Sequence, residues 1–86
     1  MNELEAWKYI QKFFSSYSLA QPAKGMCAVL NNMLWDKLIS GDVFHEMDQK
    51  LRKSTKNYGW LYPCNAEGAI QRVAYCEERI NELQKL

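Results

Sequence analysis

Apolar residues recur every three or four positions in four stretches of this chain, and no stretch keeps the sustained alternation of a half-buried strand. That period predicts helices near residues 3–15, 23–40, 43–55 and 66–84. In the first, Asn2 stands as N-cap with Glu5 three residues on, the pattern of a capping box. Leu4, Trp7, Ile10 or Gln11, and Phe14 form a stripe that Tyr9 and Phe13 widen. Ser15, Ser16 and Ser18 then compete for backbone hydrogen bonds and end it. Pro22 suits the first turn of the second helix, where its missing N–H costs nothing. Met26, Cys27, Val29, Leu30, Met33, Leu34 and Leu38 cover most of that helix, which predicts that it is the central one. Gly41 reads as its stop and Asp42 as the cap of the third helix. The third directs Val43, Phe44, Met47 and Leu51 inward and Glu46, Asp48, Lys50, Arg52 and Lys53 outward. Asn57, Gly59 and Pro63 punctuate a loop, and Asn65 caps the fourth helix. There Ala69, Val73, Cys76, Ile80 and Leu83 step as a short heptad seam, expected to pack on the second helix or on a second copy of the chain. The expectation is an all-α fold: a small compact bundle of about four helices, one domain over residues 1–86.

A chain of 86 residues has room for one core and buries only about 60% of its unfolded surface. Its stripes offer more apolar surface than so short a chain covers with ease, which predicts a homodimer or larger homo-oligomer. With 48% hydrophobic and 13% aromatic residues, the composition is that of a folded protein and not of a disordered one. Eleven basic and ten acidic residues leave a formal charge of +1, so nothing global draws the chain to nucleic acid or to an anionic membrane. Cys27, Cys64 and Cys76 are odd in number and lack a CxxC spacing, which reads as reduced thiols without a zinc site. Glu3, Glu5 and Lys8 interrupt the first apolar residues, and no run reaches the roughly 20 apolar residues of a membrane span. A cytoplasmic protein is expected.

Catalysis finds little to work with. His45 is the single histidine, and Asp42, His45 and Asp48 share a face at i, i+3 spacing, as acids in a solvated first turn do. Cys64 lies beside Pro63 and near a helix start, where a thiolate is stabilised, yet no base or oxyanion donor accompanies it. No enzyme activity, cofactor or metal is expected. The informative stretch is Lys50 to Asn65, where Lys50, Arg52, Lys53 and Lys56 are followed by Tyr58, Trp60 and Tyr62. Cations attract phosphate, and aromatic faces stack on bases at about 1–3 kcal/mol each. Ala23, Lys24 and Gly25 open one helix and Ala66 to Gly68 another, and helix starts add backbone donors, though Glu67 opposes an anion at the second. With Arg72 the expected ligand set is Lys24, Gly25, Lys53, Lys56, Tyr58, Trp60, Tyr62, Asn65 and Arg72. The competing reading makes the aromatics a cap on the core and the cations a complement to a helix dipole. A helix-turn-helix could be drawn from the second and third helices, but Asp42, Glu46 and Asp48 would repel phosphate at the reading end.

Gly25-Met26-Cys27 ahead of an apolar helix, Tyr58-Gly59-Trp60-Leu61-Tyr62-Pro63, Glu67-Gly68-Ala69 with Arg72, and Tyr75-Cys76 together resemble pieces of small uncharacterised bacteriophage accessory proteins. Those carry a G-[IM]-C helix start, a W-L-Y-P loop and an arginine in the last helix. The resemblance covers residues 25–80 and leaves the first helix unmatched. It implies action in a host cytoplasm against host defences, without catalysis. Either a nucleotide second messenger is sequestered or a host defence protein is blocked, the first leading.

Overall fold

The computed structural model describes residues 1–16, 24–54 and 61–85. Among these the chain forms four helices and no strand: α1 Glu3–Ser15, α2 Met26–Trp35, α3 Gly41–Ser54 and α4 Ala66–Gln84. The all-α expectation holds. No helix among the described residues is long and apolar enough to cross a membrane.

Local chemistry sets the helix starts. Asn2 Oδ1 accepts from the Glu5 N–H at 2.8 Å and Glu5 Oε1 accepts from the Asn2 N–H at 3.0 Å, closing the capping box. Asn65 Oδ1 accepts from the Gly68 N–H at 2.8 Å. The start of α3 differs from the expectation: Ser40 is the cap, its Oγ accepting from Val43 N–H at 3.2 Å, and Asp42 lies inside the first turn. The second helix is also shorter than its apolar stripe, starting after Gly25 and stopping at Trp35. Lys37 takes a left-handed φ of 59°, its N–H bonds Leu34 O at 3.1 Å, and the Leu38 N–H bonds Met33 O at 2.9 Å. This pair of bonds is a Schellman stop without its usual glycine. It redirects the chain so that Leu38 is half-buried and Ile39 buried.

Packing reverses the expected hierarchy. The central helix is α1, which lies along α4 and touches α3, while α2 packs on α3. Within the chain the seam of α4 therefore packs mainly on α1, where α2 was expected. Ala6, Trp7, Ile10 and Phe14 face Ala69, Tyr75, Cys76 and Ile80 in one buried cluster, completed by Met26, Leu30, Met33, Met47 and Leu51. Trp7 meets Tyr75 edge-on at 5.7 Å between centroids, a favoured aromatic geometry. Glu3 ties α1 to α3, accepting from Trp7 Nε1 at 2.8 Å and pairing with Lys50. Two side chains placed outward from the sequence are thus turned in: Lys50 is half-buried, and Asp48 is buried with Arg52 Nε donating to it at 2.9 Å.

Burial pushes the Cys76 thiol up to about 12, with Arg79 opposing. The stability this contributes is fully present below the ordinary thiol value of about 9 and is lost as pH rises towards about 12. Across that window the unfolded chain gives up the proton and the folded chain keeps it. The free energy of unfolding should therefore fall more steeply with alkaline pH in the parent than in Cys76→Ala, by on the order of 1 kcal/mol per pH unit, as read by denaturant titration across this window. Equal slopes would show that the thiol is not what the core withholds from water.

Candidate functional site

The entry to α4 is built around one buried cation. Leu61 and Tyr62 have φ of 45° and 79°. Two successive non-glycine residues in this region cost free energy, and they persist only where the surroundings hold them. Three contacts do so. Leu61 inserts into the core. Arg72 Nη2 donates to Tyr62 O at 3.1 Å and to Pro63 O at 3.2 Å. Gly68, one helical turn before Arg72, has no side chain to keep Pro63 away: a Cβ there would lie 1.7 Å from Pro63 O. The Pro63 carbonyl thus rests against the helix while the guanidinium grips it.

Arg72 is itself 0% exposed, with its guanidinium carbon 5.1 Å from the centroid of the Phe14 ring. Burial lowers its pKa from the ordinary arginine value, with neighbouring Cys64 acting in the opposite sense. Its charge is matched by the two carbonyl dipoles and the ring face, so it holds the protein's own backbone in place.

Two large apolar side chains of this region are exposed, Tyr62 at 41% and Ile70 at 70%. Beside Ile70 runs an open groove of about 430 Å³ between the end of α1 and the first half of α4, lined by Phe14, Ser15, Ala66, Ala69, Ile70 and Val73. Among the described residues no charged side chain lines it. A surface of this chemistry suits apolar side chains and offers nothing to a phosphate.

The structure gathers part of the expected ligand set. Tyr62, Asn65 and Arg72 meet at this entry, where Asn65 and Arg72 shape the turn and Tyr62 is presented. Lys24 and Gly25 lie elsewhere, at the start of α2, with Lys24 exposed on a cavity shared with α1. Lys53 is exposed in the last turn of α3. Lys56, Tyr58 and Trp60 fall outside the described residues. The acids of α3 divide, Asp42 and Glu46 being exposed and Asp48 buried, and among the described residues no three of His, Cys, Asp and Glu stand as a metal-binding group. Sequence reasoning missed Ile70, and it placed Gly68 at a helix start without its contact with Pro63. Ile70 sits one residue off the α4 seam, and that offset was a legible sign of an apolar side chain facing out.

Comparison of this chain with protein-family models, curated proteins and solved structures finds no match.

Proposed function

We propose that this chain is a non-catalytic binding domain that docks an apolar segment of a partner protein on Ile70 and the groove beside it. The observation that carries this reading is the 70% exposure of Ile70 over a groove that no charged side chain lines among the described residues. Apolar hollows of this kind are where interface energy concentrates. The resemblance to phage accessory proteins gives the partner its class, a protein of a host defence complex in the host cytoplasm. The second reading is nucleotide sequestering by the aromatic loop, in which Arg72, whose Nη2 donates to the Tyr62 and Pro63 carbonyls, would act by holding the turn.

Ile70→Glu tests the reading. The side chain is exposed, so the variant should melt within a few degrees of the parent. A carboxylate carried into an apolar interface has no partner there and should weaken docking by a hundredfold or more. The expected result is a host protein that co-purifies in stoichiometric amount with the parent, with loss of both the complex and the protection of infecting phage in Ile70→Glu. A complex that survives the substitution would remove the groove from consideration. Self-association is the competing outcome: a parent that sediments as a dimer beside a monomeric Ile70→Glu would assign the surface to a second copy of the chain.

A further inference from the structure

A second hollow, between α1 and α2, has a different chemistry. Tyr9, Lys12, Phe13 and Ser16 recur at i, i+3, i+4 and i+7 and so share one side of α1, Ser16 being its C-cap. Val29, Asn32, Met33 and Asp36 repeat the same spacing on α2, Asp36 being its C-cap. An inner cavity of about 150 Å³ is lined by Tyr9, Phe13, Lys24, Asn32 and Asp36 over a floor of Val29, Met33 and Leu38. An outer cavity of about 340 Å³ is lined by Tyr9, Lys12, Phe13 and Ser16. Tyr9 and Phe13 belong to both, so the two cavities adjoin at this aromatic pair.

From this arrangement we infer a small-ligand site, separate from the Ile70 groove, that takes a nucleoside monophosphate or a similar phosphorylated ring compound. The ligand's ring lies against Tyr9, which is 43% exposed, and against Phe13. Its phosphate is reached by Lys12 and Lys24, the cations lining these cavities among the described residues. Asp36 accepts from ribose hydroxyls, and the Asn32 amide donates to and accepts from the base edge. A simple aromatic acid would have nothing for Asp36 or Asn32. The inner cavity is below the roughly 300 Å³ of a typical ligand pocket. It therefore holds one part of such a molecule while the outer cavity holds the rest.

Titration calorimetry with AMP, GMP, CMP and UMP tests the assignment, with adenosine and inorganic phosphate as fragments. At least one monophosphate should bind in the micromolar to millimolar range and more tightly than either fragment. Tyr9→Ala should weaken it ten- to hundredfold, the effect of losing one stacking partner. The double variant Lys12→Ala/Lys24→Ala should bring AMP down to the level of adenosine, most markedly at low salt. All three side chains replaced are exposed, and a thermal melt of each variant confirms its fold. Ile70→Glu should leave this binding unchanged. No binding of any monophosphate at millimolar concentration overturns the inference. So does binding that withstands both Tyr9→Ala and the double lysine variant.

Discussion

Replacing Gly68 with alanine should destabilise the protein by about 3 kcal/mol, although alanine is the better helix former by about 1 kcal/mol. The added Cβ would stand 1.7 Å from Pro63 O, a backbone atom that no rotamer change can remove. The 61–65 segment would have to lift from α4, and Arg72 would lose both of its carbonyl partners. For a domain of this size a loss of about 3 kcal/mol lowers the melting temperature by about 10–25 °C. Thermal unfolding followed by far-ultraviolet circular dichroism reads the effect directly. A melting temperature at or above that of the parent would mean that the Pro63 carbonyl does not rest on the helix.

Arg72→Met should cost a similar amount, about 3 kcal/mol, by a different route. Methionine fills much of the space under Phe14, but the Tyr62 and Pro63 carbonyls lose a charged donor, each such bond contributing roughly 1.5–3 kcal/mol. The loss is partly offset because a buried charge no longer has to be kept from water. Arg72→Lys should recover little, since a single ammonium on a shorter reach cannot reproduce the planar fork. Gly68 and Arg72 both act on Pro63 O, so the double variant should cost clearly less than the two single losses added. Additive losses would separate the two residues and leave the turn held by something else.

These two residues mark the limit of sequence reasoning for this chain. Asn2 with Glu5, and Asn65 with Gly68, are caps that act within three residues, and their geometry was legible because donor and acceptor are neighbours along the chain. The stripes of α1 and α4 were legible too, since the 3.6-residue period is a property of the helix itself. The end of α2 was not. Met33, Leu34 and Leu38 continue a helical pattern, yet Lys37 turns left-handed so that Leu38 and Ile39 enter the core. Asp48 and Lys50 looked like solvated positions on α3 until Arg52 and Glu3 were found beside them.

By itself, then, the sequence determined that the chain is helical, where α1 and α4 begin, and which of their faces is apolar. These properties arise from interactions spanning at most four or five residues. Which helix lies at the centre, which partner the α4 seam meets, and whether a given cation faces water or a backbone carbonyl were decided only by tertiary structure. Arg72 reaches back nine and ten residues to Pro63 and Tyr62, and Trp7 meets Tyr75 across the whole chain. Ile70, one step from a buried alanine, is left outside because α1 covers the adjacent face and, among the described residues, no helix covers its own. Contacts between residues distant in the chain depend on how all the apolar faces are shared at once, and no local period records that allocation.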